Sequence, residues 1–194
     1  MTRHVFREYD IRGVADRDLT DDLVRKIGRG LAKMLRPDGA SKPHPRIVVC
    51  RDCRRSGPRL FEALVHGLTE AGADVVDVGV GPTPLMYFGV HHLDADGGVM
   101  ITGSHNPGDE NGFKIMKGKA SFFGADLQKL ADYVQTSTEP LGPKGSLETC
   151  PIEEAYLDEL RRRIHLGATD MTVVIDAGNG AAGPLGVRAL RDTG

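Results

Sequence analysis

Residues 47–78 read IVVCRDCRRSGPRLFEALVHGLTEAGADVVDV, and this stretch decides the fold class. Its first and last four residues are short runs rich in valine, which are typical of buried strands. The apolar residues at about 58–71 recur on one helical face, and Gly72 stands where helices commonly end. The stretch is therefore predicted to be a strand–helix–strand unit with parallel strands, because the connection is too long for a hairpin.

The same alternation continues along the chain outside this stretch. Further helices are predicted at about 20–35, 85–92 and 124–135, and further strands at 98–102 and 112–116. We therefore expect an α/β fold, a mainly parallel mixed sheet with helices on both faces, in three layers. In such sheets ligands bind outside the carboxyl ends of the strands. The loops that follow predicted strands are 51–57, 79–84 and 103–110.

A break in the pattern divides the chain into two parts. Residues 137–150 are rich in turn-forming residues and are predicted to be a linker between a first domain, 1–136, and a second, 151–194. In the second part a helix is predicted at about 152–164, then a strand at 172–175 and the start of another helix. Residues 174–190 resemble 48–64 at a constant offset of 126, which indicates two copies of one unit. No strand follows the last helix, so we expect the second domain to be truncated and the chain to be the front part of a longer protein.

Composition excludes several classes of function. Among 194 residues, 25 Lys and Arg face 27 Asp and Glu, and this balance does not suit a nucleic-acid coat. Hydrophobic residues make up 40%, too many for a disordered tail, and no apolar run approaches the roughly 20 residues of a membrane span. Three cysteines fit a reducing compartment, and the first residues do not form a secretory signal. We predict a cytoplasmic protein that binds neither nucleic acid nor membrane, and we leave its oligomeric state open.

The densest candidate site is the segment TGSHNP, residues 102–107, directly after a predicted strand. Gly103 allows a ligand to approach the backbone closely, and Pro107 restricts the exit of the loop. Ser104 is thereby held on a stiff bend at the carboxyl end of a strand. An ordinary polar turn is the alternative, because Ser, Asn, Pro and Gly are common turn residues. Ser104 beside His105 does not indicate a hydrolase dyad, since adjacent side chains rarely meet in nucleophile–base geometry.

Four motifs together resemble those of the α-D-phosphohexomutases, the phosphoglucomutase/phosphomannomutase superfamily. In chain order they are FREYDIRG (6–13), RDCRRSGP (51–58), TGSHNP with NGFK (102–107 and 111–114) and VIDAGNG (174–180). The resemblance covers essentially the whole chain and implies a four-domain enzyme of which this chain holds the first domain and the opening of the second. The family's metal loop and its sugar- and phosphate-reading loops lie in the domains beyond, so we expect the chain alone to be inactive.

The resemblance implies a role for each matching residue. Ser104 is similar to the serine that carries the transferred phosphoryl group, and Arg12 and Lys114 match cations that stabilise its charge or serve as acid/base partners. The resemblance also places His105 among the catalytic residues. Asn106 is expected to shape the loop and to hydrogen-bond the phosphate.

The same resemblance implies ligands and cofactors. Tyr9 and Arg54 match positions at the substrate and the phosphate loop. The reaction implied is the interconversion of hexose 1-phosphate and hexose 6-phosphate, with mannose and/or glucose as the sugar and a hexose 1,6-bisphosphate as activator. Mg²⁺ is expected as the metal. Within this chain only the phosphoryl group on Ser104 is expected to be its ligand.

Three alternatives stand beside this interpretation. A phosphoglucosamine mutase belongs to the same superfamily, although those enzymes tend to read Ser-Ala-Ser-His-Asn-Pro. A non-catalytic α/β module that binds a phosphorylated ligand or a partner is the alternative from another class. The GNGAAG segment, 178–183, also has the spacing of a dinucleotide-binding loop. In addition, Cys50 and Cys53 have the spacing of zinc or redox pairs, with small packing residues as the other interpretation.

Overall fold

The structure is a computed structural model that describes residues 3–37, 44–136, 143–167 and 170–193. Its strands are β1 (Ile11–Val14), β2 (Arg46–Arg51), β3 (Asp74–Val80), β4 (Gly97–Ile101), β5 (Glu110–Lys117), β6 (Ala120–Ser121) and β7 (Leu147–Thr149). Its helices are α1 (Asp21–Met34), α2 (Gly57–Glu70), α3 (Thr83–His92), α4 (Ala125–Thr136), α5 (Glu153–Arg163) and α6 (Ala182–Thr193).

All the strands belong to one mixed sheet in the order β1-β5-β4-β2-β3-β7, with β6 paired to β5. The parallel pairs are β2 with β3, β2 with β4 and β3 with β7. Strand β5 runs antiparallel to its neighbours β1, β4 and β6. The strand–helix–strand unit read from residues 47–78 is thus confirmed, and it forms the parallel centre of the sheet.

Successive residues of β2 belong to two separate cores, because side chains alternate across a strand. Ile47 and Val49 pack into the core that α1, α2 and α4 cover. Val48 and Cys50 pack into the opposite core, to which α3 and the start of α5 contribute. Helices therefore lie on both faces of the sheet, and the three-layer α/β architecture is confirmed.

Helices α1 and α2 pack closely, and two glycines make this possible. A Cβ built on Gly67 would overlap the carbonyl oxygen of Arg25, and one built on Gly28 would overlap that of Leu64. Thr20 begins α1 as predicted, since its side chain accepts a hydrogen bond from the backbone N–H of Leu23. Five helices and five strands were predicted with bounds. All of them except the strand at 172–175 begin and end within two residues of the predicted positions.

The predicted strand at 172–175 is wrong. Residues 170–177 have no regular structure, and Val174 is 90% exposed. A strand is stable only where a neighbour accepts and donates its backbone hydrogen bonds, and in the described parts of the chain none pairs with this segment. Only the loop and helix α6 of the predicted second copy are therefore formed.

The predicted linker, 137–150, also differs from the structure in its second half. Residues 147–149 form β7, which pairs in parallel with β3 at the edge of the sheet, while 137–142 lie outside the described residues. The strand was missed because all three of its side chains are exposed and carry no apolar pattern. Beyond it, Ile152 and Leu157 are buried. Over the ranges that the structure describes, no helix is long and apolar enough to span a membrane.

Candidate active site

The predicted loop after β4 carries Ser104 in an unusual backbone conformation. Ser104 has a φ of 54°, in the left-handed region that residues other than glycine rarely adopt. Its backbone N–H donates a hydrogen bond to Oγ1 of Thr102, at 2.8 Å. The side chain is exposed, and its Oγ lies 3.3 Å from Nδ1 of His105. The two adjacent side chains therefore do meet, contrary to the expectation from sequence.

Arg54 lies in the loop after β2 and holds residues 103–110, called the serine loop below, by hydrogen bonds to their backbone. Its guanidinium donates to the carbonyl oxygens of four residues of that loop: Ser104 at 3.1 Å, Asn106 at 2.7 Å, Glu110 at 2.9 Å, and Pro107. Arg54 was predicted at the phosphate loop. The structure places it against the serine loop, with both terminal nitrogens occupied by backbone oxygens, and a role towards phosphate stays a prediction.

Asp52 orients Arg54 and links it to the serine. Its carboxylate accepts from Nε of Arg54 at 3.3 Å and from Oγ1 of Thr102 at 2.8 Å. The same Thr102 oxygen receives the backbone N–H of Ser104. Two neighbouring parallel strands, β2 and β4, thus bring Asp52 and Thr102 together at their carboxyl ends. This contact follows from the sheet order and has no local sequence signal.

Arg12, on β1, approaches the serine loop from the other side. Its Nη1 donates to the carbonyl oxygen of Gly103 at 2.9 Å and to Oδ1 of Asn106 at 2.7 Å. Its Nε donates to Oδ2 of Asp10 at 2.8 Å. Arg12 is buried. The solvated surface charge that would be the alternative for an arginine is therefore excluded.

Lys114, on β5, joins the same group through Asp10. The two strands run antiparallel with Arg12 opposite Gly112, so that Lys114 lies two residues further along β5. Its Nζ donates to Oδ2 of Asp10 at 3.0 Å. Sequence reasoning named Arg12 and Lys114 and missed Asp10. A signal was present, because Asp10 precedes Arg12 by two residues within the FREYDIRG motif.

Asn106 is engaged within the loop. Its Nδ2 donates to Oε2 of Glu110 at 2.5 Å, and its backbone N–H donates to the carbonyl of Gly103 at 3.0 Å. Asn111, at the start of β5, is fully buried and donates to Oγ of Ser56 at 2.9 Å. The Asn106 bonds therefore hold the serine loop together internally, and the Asn111 bond ties its far end to the loop after β2.

Tyr9 lies apart from the hydrogen-bonded group. Its ring is 72% exposed and 6.2 Å from that of Phe123, measured between centroids. Within the described ranges no hydrogen bond joins Tyr9 to the other predicted site residues. Its backbone nonetheless directly precedes Asp10, which pairs with Arg12 and Lys114.

A cavity of about 820 Å³ opens beside Ser104. Its walls are the loops around Cys53, Pro82 and His105 together with residues 177–182. The Sγ of Cys53 lies 3.3 Å from the carbonyl oxygen of Asn179, so the loop of the second part is held against that of the first. Because 172–175 is not a paired strand, that loop lacks the strand that a dinucleotide-binding loop follows.

The three cysteines are free and differ in environment. Burial raises the pKa of the Cys50 thiol to about 12, whereas Cys53 is exposed. Cys150 is half-buried and packs against the core to which α3 and the start of α5 contribute. In the described parts of the chain, no three His, Cys, Asp or Glu side chains converge as metal ligands would. Cys50 and Cys53 accordingly belong to no three-ligand cluster among those residues.

Fold and site together define a three-layer α/β protein that presents an exposed serine on a strained loop beside a buried Arg12–Asp10 pair and the half-buried Lys114. Residues 3–140 match the family model described as phosphoglucomutase/phosphomannomutase, alpha/beta/alpha domain I. The chain belongs to this phosphoglucomutase/phosphomannomutase family.

Individual relatives agree with that assignment. The chain is 39% identical to a phosphoglucomutase from Neisseria gonorrhoeae, over 100% of this chain and 41% of the relative. It is 37% identical to a phosphomannomutase/phosphoglucomutase from Pseudomonas aeruginosa, over 98% and 40%. A crystal structure of a phosphoglucomutase/phosphomannomutase family protein from Burkholderia thailandensis superposes with a TM-score of 0.89 at 37% identity, over 98% of this chain and 42% of that one. The chain thus spans about two fifths of the length of these relatives.

Proposed function

We propose that this chain is the N-terminal part of a phosphohexomutase that interconverts hexose 1-phosphate and hexose 6-phosphate through a phosphoserine at Ser104. The observation that carries the proposal is the setting of Ser104: an exposed hydroxyl on a left-handed residue at the end of a buried strand, beside a cavity. A polar turn of the common type I needs no such conformation, which costs of order 1–3 kcal/mol and is typical of functional sites. The names of the relatives support the choice of sugar phosphates.

The proposed chemistry consists of two transfers. In the first, the bond between Ser104 Oγ and phosphorus breaks, a bond from phosphorus to a hexose hydroxyl oxygen forms, and the hydroxyl proton passes to a base. In the second, the other phosphate of the bound sugar moves to Ser104 Oγ, whose bond re-forms. His105 Nδ1, at 3.3 Å from Oγ, is the nearest side-chain nitrogen that can accept or return the serine proton.

The buried Arg12 and the half-buried Lys114 would favour this transfer electrostatically. A phosphoserine carries about −1.5 to −2 charges near neutral pH. Arg12 is bonded to the serine loop, and Lys114 lies beside it through Asp10. Fixed positive charges close to a transferring phosphoryl group stabilise its transition state without reorganisation. Arg54, occupied by backbone oxygens, would hold the loop and not the phosphate.

The proposed Mg²⁺ finds few ligands in this chain. Two carboxylates at the serine loop are already bonded, Asp52 to Arg54 and Thr102 and Glu110 to Asn106, and no cluster of three ligands exists in the described ranges. The residues present do not by themselves form a magnesium site. Within this chain only an oxygen of the phosphoryl group on Ser104 would be a metal ligand.

Mannose and/or glucose phosphates are the proposed substrates, and a hexose 1,6-bisphosphate is the proposed activator. The relatives named above are a phosphoglucomutase and a phosphomannomutase/phosphoglucomutase, which favours this choice over a phosphoglucosamine mutase. We also propose a cytoplasmic location, from the composition, and retain the division into a first domain and the beginning of a second.

The test uses the full-length protein with glucose 1-phosphate or mannose 1-phosphate and a trace of the 1,6-bisphosphate, in a coupled assay for the 6-phosphate. Intact mass should show one phosphoryl group, and peptide mapping should place it on Ser104. Ser104→Ala should lose both the turnover and the phosphoryl group, while Ser121→Ala, at an exposed strand residue, should lose neither. Turnover in Ser104→Ala above about a tenth of wild type would refute the assignment, because losing a single acid/base group alone costs roughly 10²–10⁴-fold.

Two further outcomes of that assay bear on the proposal. Residues 1–194 alone should give no measurable turnover, because the loops that read the sugar in this family would be missing. A full-length protein that binds the sugar phosphate, without turnover and without phosphate on Ser104, would instead support a non-catalytic binding module.

A further inference from the structure

Asp10 is a buried carboxylate that sits between two cations from different strands. It ends the turn before β1, where its carbonyl oxygen accepts the backbone N–H of Arg7 at 3.0 Å. Its side chain is 10% exposed. One oxygen, Oδ2, accepts from Nε of Arg12 at 2.8 Å and from Nζ of Lys114 at 3.0 Å.

The position of this oxygen has an electrostatic consequence. Two positive groups that lie within hydrogen-bond distance of one atom repel each other, and the repulsion is strong where water is largely excluded. A buried carboxylate between them cancels the repulsion and fixes both donors in direction. Without it, the ammonium of Lys114 and the guanidinium of Arg12 would move apart.

The orientation of Arg12 is passed on to the serine loop. With Nε held by Asp10, Nη1 reaches Gly103 and Asn106 on either side of Ser104. Asp10 is therefore linked to the serine loop through the guanidinium of Arg12, and the same carboxylate holds the ammonium of Lys114. The hydrogen bonds that the structure gives Asp10 lead to Arg12, Lys114 and the turn at Arg7.

We propose that Asp10 is a positioning residue for phosphoryl transfer at Ser104: it sets the arrangement of Arg12 and Lys114 and does not itself touch the phosphoryl group. The inference rests on the proposed mutase function and adds a residue to it. Its expected signature is a lower kcat with little change in KM, because the groups it positions act on the transferring charge.

Asp18 provides a matched control. It lies in the turn after β1, its side chain is 9% exposed, and it too pairs with an arginine, Arg17. It accepts the backbone N–H of Val14 at 2.9 Å, and no bond given for it leads to the serine loop. Asp18→Asn therefore removes a buried charge of the same kind near the same strand.

The experiment compares full-length Asp10→Asn, Asp10→Glu, Asp18→Asn, Lys114→Ala and the double variant Asp10→Asn with Lys114→Ala. We expect Asp10→Asn to lower kcat by about 10–100-fold, because displacing a catalytic group by about 1 Å has effects of that size, and to leave KM within about threefold. Asp18→Asn should keep kcat within about threefold, since the hydrogen bonds of Asp18 go to Val14 and Arg17 and not to the serine loop. In the double variant the loss should be smaller than the product of the single losses, because both act on one group.

Asp10→Glu keeps the charge and shifts it by one methylene, so it should fall between wild type and Asp10→Asn. It also provides a reading if Asp10→Asn does not fold. A kcat for either folded variant equal to that of wild type, or losses that multiply in the double variant, would overturn the role of Asp10. If Ser104→Ala is inactive at the same time, the proposed function stands and only the positioning role falls; an active Ser104→Ala overturns both.

Discussion

Gly103 lies directly against the guanidinium of Arg54, and a Cβ built on Gly103 would overlap the guanidinium carbon. The position of the Arg54 side chain therefore requires a glycine here. With that space open, Arg54 reaches four carbonyl oxygens of the serine loop. The loop that carries the candidate nucleophile is held from inside by an arginine on the neighbouring strand-end loop.

Gly103→Ala should displace the loop without unfolding the protein. The added methyl must push away either the guanidinium or the backbone, so we expect phosphorylation of Ser104 to slow by about 10-fold or more, as misplaced catalytic groups do. Gly108→Ala is the matched control, because nothing lies within 4 Å of a Cβ at that position of the same loop. Equal phosphorylation rates for the two variants, followed by intact mass, would contradict the role given to Gly103.

Arg54→Lys should loosen the same loop. A lysine has three N–H donors without the fixed fork of arginine, so it cannot bond four carbonyls and Asp52 at once. We expect faster amide hydrogen exchange at residues 104–110 and a kcat lower by about 10²-fold. Arg55→Lys, at an exposed neighbour, should change neither. Unaltered exchange in Arg54→Lys would show that the loop does not depend on this arginine.

Ser104→Gly should separate stability from activity. Glycine adopts a positive φ without steric strain, whereas serine at 54° carries it. The free energy of unfolding of Ser104→Gly should therefore equal or exceed that of wild type, by up to about 1 kcal/mol, while Ser104→Ala should be the less stable of the two variants. Both should be inactive in the proposed reaction. Thermal melts of the three proteins provide the comparison, and a Ser104→Gly protein less stable than Ser104→Ala would argue against strain at this residue.

Glu70 should make stability depend on acid pH. Burial alone raises the pKa of Glu70, but hydrogen bonds from Arg25 and Arg29 outweigh it and lower the pKa to about 2, from an ordinary value of 4.5. The folded-state pKa is depressed, so this contribution is present above pH 4.5 and is lost as the pH falls towards 2. Urea unfolding of wild type and Glu70→Gln should therefore differ most near neutral pH and converge in that window. Asp22→Asn, which breaks an exposed pair with Lys26, should change stability by less than about 1 kcal/mol at any pH.

Cys53 should react with iodoacetamide much faster than Cys50. The Cys50 thiol is buried, with its pKa raised to about 12, so almost none of it is thiolate at pH 8. Cys53 is exposed on the loop after β2. Peptide mass spectrometry of the folded protein should show labelling of Cys53 at least about 10²-fold faster, and the difference should vanish in urea. Slow labelling of both thiols in the folded state would mean that Cys53 is covered.

Much of the centre of the fold could be read from sequence because its signals are local. The apolar runs at 47–50 and 75–78 lie in strands that are buried on both faces, and buried parallel strands are continuous in apolar residues. The serine loop could be found in the same way, since Gly103 and Pro107 constrain a short segment by their own backbone geometry.

Elements without a local pattern were missed. Strand β7 has no buried side chain, so nothing in residues 147–149 distinguishes it from a loop. The opposite error occurred at 172–175, where the apolar run is strand-like but no neighbour pairs with it among the described residues. Strand formation depends on a partner that is distant in sequence, and apolar periodicity carries no information about that partner.

The sequence by itself determined the three-layer α/β class, the parallel centre of the sheet and the identity of Ser104, Arg12 and Lys114 as candidates, because these follow from periodicity and from short motifs. Only the tertiary structure decided how they are connected. The antiparallel pairing of β1 with β5 brings Asp10 between Arg12 and Lys114, which lie 102 residues apart in sequence. The adjacency of β2 and β4 turns Arg54 onto the backbone of the serine loop. Hydrogen bonds act over about 3 Å, and the order and register of strands set which distant residues come that close.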